Sequence, residues 1–211
     1  MTDLWADVRR FNQAAGTRMR AVPGWVPDDE LNLALALIAE ELGELDKALH
    51  ERDIIEVADG IADSLFVLAG LALRLGVARG YITDIITGMS HSPLMTAAGY
   101  AGFATTTDDE IDSMRADLVD SHARILTAVD ERNLVQLDPA IHHAMYGTAG
   151  IGLVLCLPMH AVWQEVTKSN MSKLVDGKLV RREDGKVMKG PNFRPPNIAG
   201  VLAAHGLRDA A

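Results

Sequence analysis

The stretch LALIAEELGELDKALHERDIIEVADGIADSLFVLAGLALRLG, residues 35–76, decides the fold. It predicts two helices joined by a short polar turn at residues 50–53. Acidic residues recur at spacings of three and four in each helix, so each set lies on one helical face. The first set is Glu40, Glu41 and Glu44, and the second set is Glu56, Asp59 and Asp63.

Apolar residues flank both acidic faces, including Ile38 and Leu42 on the first helix and Val57 and Ile61 on the second. Carboxylates at the edge of an apolar core repel one another and are costly to desolvate. A positive group is therefore expected between the two helices. A hard divalent cation such as Mg²⁺ fits this expectation, because it prefers oxygen ligands.

The composition is that of a soluble globular chain: 211 residues, of which 48% are hydrophobic and 23% charged. A net charge of −9 argues against nucleic-acid binding. The longest apolar run, residues 64–77, contains Arg74 and is shorter than the ~20 residues of a membrane span, so no membrane contact is expected. One cysteine, Cys156, and an N-terminus without a signal-peptide pattern predict a cytoplasmic protein without disulfides.

The charge is distributed unevenly along the chain. Residues 28–63 hold twelve acidic and two basic residues, whereas residues 168–194 hold eight basic and three acidic residues. This asymmetry favours a site that binds a metal at one end and anionic phosphates at the other. The alternative is that the two regions only attract each other.

Helical periodicity and turn residues predict the remaining elements. They are a helix at residues 2–16, a loop at 17–27, a short helix at 81–89, a linker at 90–107, a helix at 159–172 and a closing helix at 198–202. Asp-Gly pairs at residues 176–177 and 184–185 predict tight turns in a basic tail.

A shift of 80 residues aligns the second half of the chain with the first: the acidic run 28–30 falls on 108–110, and Ala69-Gly70 falls on Ala149-Gly150. These matches, in order and nearly without gaps, predict an internal duplication. The alternative is two helical hairpins of similar length by chance.

Most of the carboxylates are lost in the second copy, which indicates that they do chemistry in the first. The six positions become Asp120, Ser121, Arg124, Gln136, Pro139 and His143. Asp138 and Pro139 predict a helix start.

The EExxE motif at residues 40–44, the second acidic helix, the KSNMSK helix end at 168–173 and the DGKxxKGPNFxPP tail at 184–196 resemble the all-α NTP pyrophosphatases. This is the MazG-like and phosphoribosyl-ATP pyrophosphohydrolase-like superfamily. The resemblance implies an all-α helical bundle that cleaves nucleoside triphosphates between the α and β phosphates. It also implies Mg²⁺ as cofactor, with Mn²⁺ as a substitute.

The ExxE pair of this family maps onto Glu41 and Glu44. The second acidic pair stays open: alignment on the following apolar residues gives Asp63 and places the expected glutamate at Gly60, whereas the motif itself gives Glu56 and Asp59. We favour Asp59 and Asp63, one helical turn apart. The candidate metal ligands are therefore Glu41, Glu44, Asp59, Asp63 and Glu56.

The resemblance also implies in-line attack by a water that the metal or a carboxylate such as Glu40 activates. The catalytic candidates are Glu40, Glu41, Glu44 and Lys173. The substrate-binding candidates are Asn12, Lys168, Asn170, Lys173, Lys186 and Lys189.

We expect one all-α NTP pyrophosphatase domain over residues 1–211, with a catalytic copy at 1–89, a degenerate second copy at 90–172 and a basic tail at 173–211. The first copy has the acids and the second has the basic helix end. They are expected to form an internal pseudo-dimer with one composite site, in a monomer or a homodimer.

The tail resembles that of house-cleaning enzymes, which hydrolyse nucleotides of the cellular pool. Two other classes of protein compete with this prediction. A di-iron bundle needs Glu-x-x-His repeats, which the sequence lacks. A non-catalytic nucleotide-binding or structural bundle is compatible with Gly60. Within the enzyme class, the alternative is phosphoribosyl-ATP hydrolysis.

Overall fold

The computed structural model describes residues 3–78, 101–180 and 187–207, and these ranges are all-helical, as predicted. The helices are α1 (Leu4–Ala14), α2 (Asp28–Glu51), α3 (Ile54–Leu75), α4 (Asp108–Asp130), α5 (Leu134–Val154), α6 (Met159–Ser172) and α7 (Ile198–Ala204), with a 3-10 turn at Gly102–Thr105. The helix predicted at 81–89, most of the predicted linker 90–107 and the predicted turn at 184–185 lie outside the described residues.

Helices α2 and α3 form the first hairpin. Its turn is shorter than predicted, because α2 continues to Glu51 and Arg52 alone takes a left-handed conformation, at φ 55°. The Asp53 carboxylate then accepts hydrogen bonds from the backbone N–H groups of Ile55 and Glu56, both at 3.1 Å. This cap satisfies donors that the first turn of α3 leaves unpaired.

The second hairpin, α4 and α5, begins 80 residues after the first at both helices. Arg132 repeats the left-handed turn of the first hairpin, at φ 51°. Asn133 caps α5 by accepting from Gln136 N–H, so the helix start predicted at Asp138–Pro139 is wrong. Pro139 lies inside the helix instead. The carbonyl it leaves unpaired belongs to Val135, whose side chain is 84% exposed, so water can satisfy that carbonyl.

The two hairpins pack against each other through α3 and α5, with α2 against α4. Reciprocal ion pairs join them: Arg52 binds Asp108, and Arg132 binds Asp28. Backbone hydrogen bonds at the ends of the two hairpins are also equivalent. Gly24 N–H donates to the carbonyl of Leu75 at the end of α3, and Gly102 N–H donates to the carbonyl of Leu155 just after α5, each at 3.0 Å. These contacts have the symmetry expected of a pseudo-dimer. The common origin of the hairpins stays a prediction.

Helices α1 and α6 both cover α3. Trp163 of α6 is fully buried, stacks on Phe66 of α3 with ring centroids 5.7 Å apart, and donates its indole N–H to Asp7 of α1 at 3.0 Å. After α6, the predicted turn at Asp176–Gly177 is present, with Val175 and Lys178 exchanging backbone hydrogen bonds. This packing holds the C-terminal end of α6 beside the acidic hairpin. None of the helices described here is both long enough and apolar enough to span a bilayer.

Gly76 ends α3 with φ +71°, and a Cβ at this position would lie 2.3 Å from the carbonyl oxygen of Val22. Gly16 also has a positive φ, +65°, but a Cβ there meets nothing within 4 Å. Replacement of Gly76 by alanine is therefore expected to lower the free energy of unfolding by at least ~1 kcal/mol more than Gly16→Ala. Urea denaturation of both variants measures this difference. Equal losses would contradict the close-contact argument.

Candidate active site

Carboxylates from α2 and α3 face one another in a half-buried cluster. Glu41 and Glu44 come from one helix and Asp59 and Asp63 from the next, and their charges act on one another's ionisation. The i, i+3 and i, i+4 spacings found in the sequence place each pair on the face that meets the other helix.

Glu41 shows how unfavourable this arrangement is for ionised groups. Burial raises the pKa of Glu41 to about 8, and the charges of Asp63, Glu44 and Glu40 add to the effect. The opposing influence of Lys173 is smaller. In the absence of a further cation, the Glu41 carboxyl group therefore holds a proton near neutral pH.

Asp59 behaves in the same way. Burial, followed by the charges of Asp63 and Glu56, raises the pKa of Asp59 to about 7. Its Oδ1 atom is buried and accepts no hydrogen bond within the described structure. An orphaned carboxylate oxygen beside other acids is a position where a cation would be stabilised.

The end of α6 supplies positive charge and polar contacts to this cluster. Lys173 Nζ donates to Asn170 Oδ1 at 2.7 Å, and the Asn170 amide donates to Asp63. Burial raises the pKa of Asp63 to about 6, and the positive charge of Lys173 acts in the opposite direction and lowers it. Burial lowers the pKa of Lys173, more than the nearby acids raise it, and the neighbouring charge of Lys189 lowers it further.

The other predicted substrate-binding residues have different surroundings. Lys168 is 70% exposed, with Nζ 3.5 Å from the Glu165 carboxylate. The buried Asn12 donates Nδ2 to the Val8 carbonyl at 3.0 Å and lines a small cavity of about 80 Å³. Lys186 lies outside the described residues.

Gly60 explains why the second acidic motif departs from the family pattern. It is buried against α2, and a Cβ at this position would lie 3.3 Å from the Leu45 Cα and Cβ atoms. A glutamate here would push the two helices apart. Asp59 and Asp63 lie on either side of this contact along α3, and the charge of Glu56 also acts on Asp59.

Arg74 was not among the predicted site residues. It is 8% exposed and lines the same cavity as Asn12, together with Gly70 and Val187 of the tail. An arginine within an otherwise apolar run of α3 was the signal in the sequence that could have identified it.

Comparison with known proteins agrees with this geometry. Residues 8–87 match a family model described as phosphoribosyl-ATP pyrophosphohydrolase. This family belongs to the MazG-like superfamily, which residues 8–87 therefore resemble. The match spans most of α1, both helices of the first hairpin and all six carboxylates, but not α6.

The chain is also similar to an uncharacterised protein of Acanthamoeba polyphaga mimivirus. The two are 22% identical in a gapped alignment of 218 positions, which covers 82% of this chain and 83% of the viral protein. No solved structure matches the chain.

The carboxylates of α2 and α3 can be tested for their fit to a divalent cation. Among the described residues, no three acidic, histidine or cysteine side chains converge into a ready-made metal cluster. Mg²⁺ does not require one, because it keeps several waters and binds one or two carboxylates together with substrate phosphates. Asp59 Oδ1 accepts no hydrogen bond from the described residues, so it is available to a cation of this kind. The raised pKa values of Glu41 and Asp59 show that these carboxylates lack the positive charge that such a cation would supply.

These pKa shifts predict how the stability of the protein depends on pH. The pKa of Glu41 is 4.5 in the unfolded reference and about 8 in the fold, so the folded state binds more protons. In EDTA, the melting temperature should therefore fall as the pH rises from 5 to 8.5. Mg²⁺ should raise it more at pH 8.5 than at pH 5.

The matched variants are Glu41→Gln, which removes the titrating group, and Glu51→Gln, which changes an exposed acid at the end of the same helix. Glu41→Gln should flatten the pH dependence, and Glu51→Gln should leave it as in the wild type. Thermal unfolding followed by circular dichroism gives both slopes. An unchanged slope in Glu41→Gln would refute the assignment.

Proposed function

We propose that the protein is a Mg²⁺-dependent nucleoside triphosphate pyrophosphohydrolase of the house-cleaning type, which converts a (d)NTP and water into a (d)NMP and pyrophosphate. One observation carries the proposal: the acidic faces of α2 and α3 meet Lys173 and Asn170 within one half-buried site. The match of residues 8–87 to a pyrophosphohydrolase family supports the reaction class.

The carboxylates would hold the cation. Glu41, Glu44, Asp59 and Asp63 are the proposed ligands, with Glu56 beside Asp59 as a further candidate. When bound, Mg²⁺ supplies positive charge that offsets the triphosphate and makes water more acidic. Mn²⁺ has similar oxygen preferences and would substitute for it.

The reaction needs a water held in line with the bond that joins the α phosphorus to the bridging oxygen. Glu40, on the exposed side of Glu41, is the proposed acceptor of its proton. The water oxygen bonds to the α phosphorus, and the bridging oxygen leaves with pyrophosphate. Negative charge therefore grows on the phosphate oxygens during the step.

Lys173 is the proposed group that offsets this charge. Its ammonium is partly buried, and Asn170 fixes its position through the 2.7 Å hydrogen bond. A preorganised cation with little access to water stabilises developing charge better than a mobile one on the surface. Lys189 lies near enough to influence the pKa of Lys173, so it would reach the same phosphates from the tail.

Base or sugar recognition is assigned to the cavity at Asn12. Its Nδ2 is used by the backbone of α1, which leaves the carbonyl oxygen of its amide to accept from a ligand. Phe11 and Phe66 line the same cavity, with ring centroids 5.2 Å apart. At about 80 Å³ the cavity admits only the edge of a base.

Phosphoribosyl-ATP is the second candidate substrate, because the matching family model bears that name. A panel of nucleoside triphosphates and phosphoribosyl-ATP, assayed with Mg²⁺ for pyrophosphate release, separates the two. Release from phosphoribosyl-ATP alone would replace the house-cleaning proposal. No release from any member would indicate a non-catalytic nucleotide-binding bundle.

With the best substrate of that panel, Glu44→Gln should lower kcat by at least ~10²-fold, because it removes a negative ligand from the metal site. Glu51→Gln on the same helix should retain wild-type turnover. Full turnover in Glu44→Gln would refute the metal-ligand assignment.

Lys173→Gln should lower kcat by about 10²–10³-fold, as expected for the loss of a preorganised cation at the phosphates. Lys178→Gln is the matched control, because Lys178 is an exposed lysine of the Asp176–Gly177 turn. Steady-state kinetics of both variants provide the test. Similar turnover in the two variants would exclude a specific role for Lys173.

A further inference from the structure

A second groove lies between α4 and α5. Its place in the second hairpin corresponds to that of the acidic site in the first hairpin. Its cavity measures about 770 Å³. Asp120, Arg124, Gln136, Pro139 and His143 line it. These residues stand 80 positions after Glu40, Glu44, Glu56, Asp59 and Asp63 respectively. The groove persists, but one carboxylate remains and an arginine and a histidine have replaced two others.

Hydrogen-bond donors in this groove are available to a ligand. Arg124 uses its Nε to bind Asp120 at 2.6 Å, and its terminal N–H groups have no partner among the described residues. Gln136 and His143 are exposed, and no side-chain hydrogen bond is found for either within the described ranges. An arginine fork with an adjacent amide and imidazole is suited to the oxygens of a phosphate.

An apolar cavity of about 590 Å³ adjoins the groove and shares Pro139, His142 and Tyr146 with it. Its remaining walls include Val135, 84% exposed, and Leu134. His142 is buried between the two cavities. Its Nδ1 lies 2.9 Å from the Asp138 carboxylate, while its Nε2 is buried and finds no partner in the described part of the chain.

We propose that this paired cavity binds a nucleoside monophosphate without a divalent cation. The phosphate binds Arg124, Gln136 and His143, and the base packs on Tyr146 and Val135. A flat ring with polar edges suits a wall formed by an aromatic and an aliphatic side chain next to an unpaired imidazole nitrogen.

Charge selects the monophosphate over the triphosphate. A phosphate monoester carries about two negative charges at neutral pH, fewer than a triphosphate. A triphosphate without its metal would bring further negative charge towards Asp120. This site is separate from the carboxylate cluster, so its existence does not depend on the proposed reaction.

The test is isothermal titration calorimetry of the full chain in EDTA with AMP and with dTMP, one purine and one pyrimidine. EDTA removes metal-mediated binding at the acidic site. We expect one ligand per chain for at least one of the two nucleotides. Affinity should fall at least ~tenfold in Arg124→Ala/His143→Ala, since charge-assisted hydrogen bonds are lost.

The controls are Glu44→Gln, which alters the acidic site, and Arg9→Ala, which removes an exposed arginine of α1. Both should bind as the wild type does. Arg124→Gln/His143→Gln keeps the side chains polar and repeats the test if the alanine variant is poorly folded. Amide chemical shifts should change in α4 and α5 when ligand is added.

Three outcomes would overturn the proposal: no binding of either nucleotide in EDTA, unchanged affinity in both double variants, or loss of binding in Glu44→Gln. Titration with inorganic phosphate tests the contribution of the apolar cavity. Phosphate should bind more weakly than the nucleotide. Equal affinity would refute the assignment of the base to Tyr146.

Discussion

The structure depends on carboxylates held against an apolar core without enough positive charge of their own. Ionisation of all three of Glu41, Asp59 and Asp63 is energetically unfavourable in that position. The pKa values of all three are therefore raised. A fold selected only for stability would exchange these acids for neutral residues, as the second hairpin has done at most equivalent positions. Their retention is understandable if a cation and a polyphosphate complete the charge balance. The partly buried Lys173 offsets only part of the repulsion.

Local patterns were enough to predict much of the fold. The predicted bounds of α6, residues 159–172, agree with the structure, and Gly76 ends α3 as predicted. The spacing of the acids also identified the residues that meet at the site, because a helix converts spacing into a common face. Spacing also favoured Asp59 beside Asp63, but it gave no reason for the glycine at position 60. That reason is the close approach of α2 at Leu45, a contact between helices that no local pattern encodes.

Other features also depend on contacts that local patterns do not encode. Pro139 resembled a helix start, yet Asn133 provides a better cap and the exposed first turns of α5 tolerate an internal proline. Lys168 and Lys173 belong to the same basic motif, but Lys168 is 70% exposed and its Nζ lies 3.5 Å from the Glu165 carboxylate, whereas Lys173 acts on the acidic cluster. The reciprocal pairs of Arg52 with Asp108 and Arg132 with Asp28 join residues 56 and 104 positions apart. Only the folded chain shows them.

The position of Lys173 after the second hairpin has a consequence for synthesis. The acidic hairpin leaves the ribosome first and can form its own helices, but its balancing lysine follows about a hundred residues later. At the usual rates of translation this delay lasts several seconds. During that interval the nascent chain presents an acidic groove without the contacts of α6. Under the proposed function, the partly made protein would offer its cation site before the residues that hold the nucleotide are in place.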